Sequence, residues 1–597
     1  MGYRKGHESE VEPLPLRWRI AAVALSAILL GAIVFVDRAS AADYEVTSLS
    51  SSLSSAQAGA HADFSLGFEL ASEGGKPNGL TRDLLFTLPP GLIGNPQKLP
   101  RCTLAQFGEN VEESNCPQDS QVGVSVITLA GKVNGTFTEP VFNMPSPGGE
   151  IVARFGVWAA IYPTLINIRV NPIDYSLEAA VEGAPSAAEL IGAETTFWGV
   201  PAADSHDDLR LTVQEAREGE LPSGGRPSGQ PEIPFLANPT DCSLQREVSL
   251  TAISYGAPDK PSSLSAPFPK IGGCEKLDFA PEFSFTPTNP EASAPTGAEA
   301  VLRIPQNEAP NDNASSVLKS ATVTLPEGLT INPSAGDGLQ GCSAAQVGFE
   351  TTNNSNCPDQ AKIGSVEIDV PALEKTLNGS VYQRTPEDGK LFRFWLVTDE
   401  QGVHLKLPAE ITTNPLTGQL TTVFNGIPSL GGNPQVPFEE LRLHVFGGPR
   451  APLATPAKCG TYSTHYEFSP WSGKPASIGD APMQITTGCN KGGFSPGFEA
   501  GTTDPTAAGY SPFTMTLTRQ DGEGNPAGLT LHLPNGLLAK LGGVPLCSDQ
   551  DANTGNCPDA SRVGKIATAA GVGGAPLWIP QPGKSPTAVY LSGPYKG

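Results

Sequence analysis

The residues of this chain with chemistry to offer are ten cysteines, seven histidines and a few carboxylate clusters. Thiolates and imidazoles at short spacing would hold zinc, but there is no Cys-x-x-Cys and no histidine at ligand spacing from a cysteine pair. His206-Asp207-Asp208 has the look of an acid–base cluster. A polar run of this kind in a loop reads as a solvated acidic face. Gly583-Lys584-Ser585 copies the end of a phosphate loop, yet Trp578 stands where that loop needs glycine, and proline flanks it. Asp549-x-Asp551-x-Asn553 opens like a calcium loop, but Gly555 falls one place late and Ala560 takes the place of the bidentate glutamate. Gly-x-Ser-x-Gly and His-Glu-x-x-His are absent. Trp471 and Trp578 are candidates for stacking on sugars, whereas Trp198 and Trp395 sit in apolar strand patterns and read as core. These residues predict no catalytic group, no metal and no cofactor.

The cysteines remain, and their setting repeats. Leu88-Pro89-Pro90-Gly91-Leu92 recurs as Leu325-Pro326-Glu327-Gly328-Leu329 and as Leu533-Pro534-Asn535-Gly536-Leu537. A cysteine follows each copy, and a second lies within Asn115-Cys116-Pro117, Asn356-Cys357-Pro358 and Asn556-Cys557-Pro558. Repetition therefore pairs Cys102 with Cys116, Cys342 with Cys357, and Cys547 with Cys557. A second kind of pair, Cys242 with Cys274 and Cys459 with Cys489, closes the ends of the first two repeats. Closing a loop of this size is worth about 3 kcal/mol in the chain-entropy account.

The elements that position these cysteines are short strands. Asp63–Leu70, Ala300–Ile304 and Phe513–Thr518 alternate in period two, as half-buried strands do. Leu84–Thr87, Ala321–Thr324 and Leu529–His532 are short strands that proline ends, and the motif glycine turns the chain. Leu88, Leu92, Leu325 and Leu329 flank these turns and are expected to be buried. Val122–Val126, Ile363–Ile368 and Val563–Ile566 follow the cysteine loops. Many short strands with Gly/Pro turns predict an all-β fold: tandem disulfide-closed β-sandwich units after an apolar amino-terminal helix. The units are expected at 42–275 and 276–490, with a truncated third at 491–597. Ser48–Ser55 and Glu218–Pro234 read as non-globular, the latter as an exposed insertion.

The chain of 597 residues carries a net charge of −23, with no basic stripe to neutralise phosphates, so nucleic acid is excluded as a partner. Arg4, Lys5, Arg17 and Arg19 precede the apolar run Ile20–Val36, and Ala39-Ser40-Ala41 offers a cleavage site. Residues 1–41 thus read as a signal peptide, or as an amino-terminal membrane anchor if they are not cleaved. Export places the cysteines in an oxidising environment.

With Ala58-Gly59-Ala60-His61-Ala62-Asp63 opening the first repeat, residues 43–597 resemble large secreted β-repeat proteins of high-GC Gram-positive bacteria. The resemblance implies an extracellular location and a repeat architecture of immunoglobulin-like sandwiches, and no activity. It departs at Gly593–Gly597, because members of that set continue further. The expected role is that of a non-enzymatic extracellular or cell-envelope spacer, adhesin or surface component, its partner an unidentified extracellular protein or glycan. The alternative is a secreted carbohydrate-binding or carbohydrate-active protein, which would need clustered carboxylates in a cleft near 198–235. Contact with a membrane is expected only through residues 20–36. Peptide mapping without reduction should return five bridges, each within one repeat, and a bridge between repeats would overturn the modular scheme.

Overall fold

The computed structural model describes residues 44–219, 225–387, 390, 392–426, 430–489, 492–584 and 587–593. The expected helix at Ile20–Val36 lies outside them. Among the described residues no helix is long and apolar enough to cross a membrane.

The chain is all-β and is built from two large antiparallel sheets. The first holds β1 (Val46–Leu53), β2 (Phe64–Leu70), β3 (Thr81–Thr87), β4 (Gln121–Ala130), β5 (Asn134–Met144) and β6 (Ala153–Ala159). It continues with β7 (Tyr162–Val170), β8 (Leu177–Val181), β9 (Leu190–Phe197), β10 (Glu247–Ser254) and β11 (Ser262–Pro267). Their spatial order is β1-β2-β9-β4-β5-β6-β7-β8-β3-β10-β11. The second sheet holds β12 (Glu282–Pro287), β13 (Ala298–Arg303), β14 (Leu318–Thr324), β15 (Lys362–Asp369), β16 (Leu377–Gln383) and β17 (Arg393–Glu400). It ends with β18 (Val403–Thr413), β19 (Leu420–Phe424), β20 (Glu440–Val445), β21 (Gly460–Pro470) and β22 (Ser477–Ile485). Its order is β12-β13-β20-β15-β16-β17-β18-β19-β14-β21-β22, the first order strand for strand.

Twist makes a sheet this wide curl, and each one rolls around its own apolar face into a sandwich-like barrel. In the first, the end strands meet: the Val46 amide donates to Ser262 Oγ at 3.0 Å and Ser51 Oγ to the Pro267 carbonyl at 3.3 Å. In the second, the Ala292 amide reaches the Thr487 carbonyl at 2.8 Å. The interior of the first roll is one cluster running from Val46 on β1 to Ala266 on β11.

The serine-rich stretch at 48–55 is not a linker, contrary to its composition. Val46 and Leu49 enter the core while most of the serines between and beyond them face outward, so β1 pairs with β2 along its length. Conversely, Leu529–His532 forms no strand. Of the segment 218–234, residues 220–224 lie outside the description; the rest carries no strand, and Arg226 is tied to Glu215 at 2.7 Å.

The repeated motif makes the same turn three times. The Leu92, Leu329 and Leu537 amides each donate to the carbonyl three residues back, and Gly91, Gly328 and Gly536 hold φ of 88°, 91° and 92°. Positive φ at the third position of a turn is what type II geometry asks of glycine. Leu92, Leu325 and Leu329 are buried as expected, whereas Leu88 is only half-buried. The cysteine loops match as well. Cys102, Cys342 and Cys547 donate their amides to Asn143, Gln383 and Leu591, each at 2.8 Å. One β-bulge recurs beside Gly123, Gly364 and Gly564. A Cβ on Gly123 would stand 2.1 Å from the Thr196 carbonyl oxygen, and one on Gly364 2.4 Å from that of His444. On Gly564 it would meet only Val589 at ordinary contact.

From 492 onward the described strands form three hairpins: Gly497–Thr502 with Phe513–Thr518, Arg562–Ile566 with Thr587–Tyr590, and Thr568–Ala570 with Leu577–Ile579. Phe498, Met515, Leu517, Val563 and Trp578 stay exposed on them. This region touches the second roll where the Val572 amide donates to Asn332 Oδ1 at 3.1 Å.

The two rolls share a core around Tyr175. The turn between β7 and β8 carries Tyr175 (φ 58°), which packs with Val366, Ile368 and Leu407 of the second roll. Its hydroxyl donates to the His404 carbonyl at 3.3 Å and accepts from the Lys406 amide at 3.3 Å. Tyr175→Ala should cost roughly 3–5 kcal/mol, the usual range for emptying an aromatic site. Scanning calorimetry should then show the melting of the two rolls separating. Tyr175→Phe, which loses only the hydroxyl, should cost about 1 kcal/mol.

Candidate functional site

The polar groups that could act as a site lie in three places: the loop after β9, the junction of the rolls, and the interior of the first roll. His206 is buried, against the expectation of a solvated acidic face. Its ring stacks on Trp198 with centroids 4.6 Å apart, and Nε2 lies 3.2 Å from Asp63 Oδ2. Burial pushes the Asp63 carboxyl up, but hydrogen bonds from His206 and the Gly199 amide outweigh it and hold it below the ordinary value. Arg210 lies over the other member of the stack, Trp198, at 5.4 Å and binds Asp207 at 3.1 Å. No hydroxyl or thiol is hydrogen-bonded to His206 in the described residues, so the pair has no nucleophile to activate. It fastens the loop to the start of β2. The Ala-Gly-x-His-x-Asp opening is the other half of that fastening: Asp63 takes His206, and His61 Nδ1 meets the Leu236 carbonyl at 2.7 Å. Gly59, at φ 66°, accepts the Ala314 amide of the second roll at 2.7 Å.

Of the carboxylates near 198–235, Asp207 and Glu215 are held by arginines. Glu215 grips Arg226 through both oxygens at 2.7 and 3.0 Å, and this hydrogen-bonded pairing lowers its pKa to about 2. Trp198 and Trp395 are core residues. Trp471, a candidate for sugar stacking, is buried at 5 % exposure, donates Nε1 to the Asn433 carbonyl and lies under Lys319. Only Trp578, at 52 %, presents its face. Asp549, Asp551 and Asn553 wind into the helix Asp549–Thr554, where Asp551 accepts from the capping Ser548 at 2.7 Å. Among the described residues no group of three or more His, Cys, Asp or Glu could hold a metal. Ser585 of the phosphate-loop mimic lies outside the description.

At the junction, His404 stands between two carboxylates: Nδ1 is 2.8 Å from Asp399 and Nε2 is 3.0 Å from Glu150 of the first roll. Lys406 is buried beside it and donates to the carbonyls of Gly348, Thr351 and Asn353 at 2.9, 3.1 and 2.5 Å. Burial lowers the Lys406 pKa against the pull of Asp399. On the far side of the junction, Arg246 binds the Pro90 carbonyl at 3.0 Å, Asp241 at 3.2 Å and Gln435 of the second roll at 3.2 Å. Lys98 pairs with Glu308 across the same face. The sequence offered no signal for these groups, since their partners are remote along the chain.

The five disulfides are Cys102–Cys116, Cys242–Cys274, Cys342–Cys357, Cys459–Cys489 and Cys547–Cys557, with Cα separations between 5.0 and 6.0 Å. The first loop rests on Trp158 through Phe107, centroids 5.1 Å apart, and the third on Trp395 through Phe349 at 5.2 Å.

Inside the first roll, Glu139 on β5 is fully buried with no counter-charge, and the Ala160 amide is the one group that acts on its carboxyl. Burial, opposed only by the Ala160 amide, pushes its pKa up to about 8.

Fold and site together define a class: tandem rolled β-sheets, latched by disulfides and by buried polar side chains. No known protein family and no curated protein matches the chain. Solved structures similar to it include the carboxy-terminal domain of the Streptococcus agalactiae antigen I/II polypeptide BspA, at 8 % identity and a TM-score of 0.18, covering 74 % of this chain and 99 % of that one. Part of the amino-terminal region of an enterococcal surface protein follows at 9 % and 0.15, covering 74 % and 95 %. The collagen adhesin of S. aureus stands at 8 % and 0.16, covering 74 % and 92 %. At such scores the likeness carries no argument about function.

Glu139 carries a consequence for stability. Above pH 4.5 an unfolded chain releases this proton, whereas the folded one keeps it to about 8. Folding is therefore penalised increasingly between those values, by roughly 5 kcal/mol at most at the upper end. Glu139→Gln should melt close to wild type at pH 5 and well above it at pH 8. A constant difference across that range would contradict it.

Proposed function

We propose that the chain is a non-enzymatic extracellular or cell-envelope protein acting as a spacer, adhesin or surface component, with residues 42–275 and 276–490 as its repeat units. One observation carries this reading: the same eleven-strand order occurs twice, and the copies are fixed to each other by buried side chains. Such a body holds its shape, which is what a rod or a displayed surface requires. The net charge of −23 keeps neighbouring copies apart and soluble. An extracellular protein is the partner favoured, because His206, Glu215 and Trp471, on which a sugar site would draw, are engaged within the fold.

The test is fractionation of the producing cell together with binding assays. Immunoblots should find the chain in the envelope or medium, and amino-terminal sequencing should begin at Ala42 if the leader is cleaved. The protein should bind immobilised extracellular proteins and leave a panel of polysaccharides intact. Polysaccharide cleavage that survives purification to homogeneity, or an exclusively intracellular location, would overturn the reading.

A further inference from the structure

In both rolls a single strand joins two hairpins. β9 lies between β2 and β4, and β20 lies between β13 and β15. The region from 492 repeats both hairpins. Leu53 opposite Phe64 and Pro287 opposite Ala298 are matched by Thr502 opposite Phe513. Gly123 opposite Val141 and Gly364 opposite Val381, each beside a bulge, are matched by Gly564 opposite Val589. The joining strand is not repeated: among the described residues each of these two hairpins is a two-stranded sheet by itself. Phe513–Thr518 and Arg562–Ile566 therefore present open edges where the rolls are paired.

The backbone and the side chains both keep room for that strand. Gly123 and Gly364 exclude a Cβ because the carbonyls of Thr196 on β9 and His444 on β20 would stand 2.1 and 2.4 Å from it. Gly564 is the same residue in the same bulge, yet a Cβ there meets only Val589 at ordinary contact. Val141 and Val381 are 0 % and 1 % exposed, whereas Val589 in their place is 41 % exposed. Phe64, Leu66 and Phe68 face the interior of the first roll, and Ala300 and Leu302 that of the second. Phe513, Met515 and Leu517 hold the matching positions and are exposed. Phe513–Thr518 also lacks the devices that blunt a free edge: it has no charge, no proline and no bulge.

The rolls state the chemistry of what fits. β9 turns Ala193, Thr195 and Phe197 to the interior, and β20 turns Leu441, Leu443 and Val445. Glu194 and Thr196, and Arg442 and His444, alternate with them. Phe197 stands between Phe64 and Gly123, and Val445 between Ala298 and Gly364. We propose that the region from 492 binds an extended strand donated by a separate polypeptide, inserted antiparallel between Phe513–Thr518 and Arg562–Ile566. Alternate residues of that strand are apolar, one of them standing between Phe513 and Gly564, and the residues between them are polar. The residue before the one at Gly564 faces Lys565, as Thr196 faces Val124 and His444 faces Ser365, so an acidic side chain there adds a cross-strand pair. Backbone hydrogen bonds to the two edges supply affinity, and the alternate apolar positions supply specificity. The proposal goes beyond the surface role, which stands whether or not this place is filled.

The experiment uses the full chain with its disulfides intact and a fluorescein-labelled peptide of residues 439–446, which carries the β20 pattern. Fluorescence anisotropy should show saturable binding, and a peptide carrying Leu441→Asp and Leu443→Asp should not bind. Hydrogen exchange should slow at Phe513–Thr518 and Arg562–Ile566 when the peptide binds. Gly564→Ala adds the one carbon that the donated backbone excludes and meets nothing closer than ordinary contact in the unbound chain. It should melt as wild type does and bind the peptide roughly tenfold more weakly or worse. Met515→Lys, at an exposed side chain, should do the same and serves if the alanine variant does not fold. A peptide with His444→Glu should bind more tightly, and one that does not would overturn the pairing with Lys565. No saturable binding by wild type would overturn the proposal, as would unchanged binding by Gly564→Ala and Met515→Lys. Slow exchange at both edges without peptide would show that the chain itself or a second copy fills the place, and would overturn the separate partner.

Discussion

An antiparallel sheet of eleven strands twists too much to stay flat, and the roll that results is the constraint on which the rest of this protein depends. Rolling brings β1 against β11 and β12 against β22, leaving each unit with an inside and two ends. The inside must be apolar, which explains why serine can alternate with Val46 and Leu49 in a strand whose composition looks like a linker. The ends must be closed by something other than sheet. Cysteine loops, 3₁₀ turns and the glycine turns after β3 and β14 do that work, and they are the parts that repeat most faithfully.

The junction of the rolls uses the same logic. Tyr175 enters the second roll and exchanges two backbone hydrogen bonds with β18, while Arg246, Asp241 and Gln435 occupy the opposite side. Buried ion pairs of this kind add little net stability but are costly to break on one side only. They therefore specify one arrangement of the rolls. Spending arginine, histidine and aspartate on latches also explains why these residues assemble no reactive group: His206, His404 and Glu215 are each held by partners that serve the fold.

Glu139 is the exception to that economy. Every other buried charged side chain in the rolls has a counter-charge or carbonyl partners, as with Lys406 and Arg393. Its carboxyl, buried in the first roll with only the Ala160 amide acting on it, is where the fold departs from what stability alone would choose.

How much was legible follows from the range over which each feature is decided. The Leu-Pro-x-Gly-Leu turn, the capped helix after each first cysteine and the bulge glycine depend on neighbours within a few residues. Of these the turn was readable from the sequence, and it takes the same form at 533–537 as in the rolls. The strand β1, the burial of Trp471 and His206 and the half-exposure of Leu88 depend on what packs against them, which no local pattern states. Leu529–His532 shows the converse: it has the alternation of a strand, yet no strand lies beside it among the described residues, and it forms none. By itself the sequence determined an all-β, repeated, cysteine-bridged chain, because turns, alternation and cysteine spacing are local. Only tertiary structure decided the eleven-strand order, the Tyr175 junction and the isolation of Glu139, because each arises where segments far apart in the chain meet.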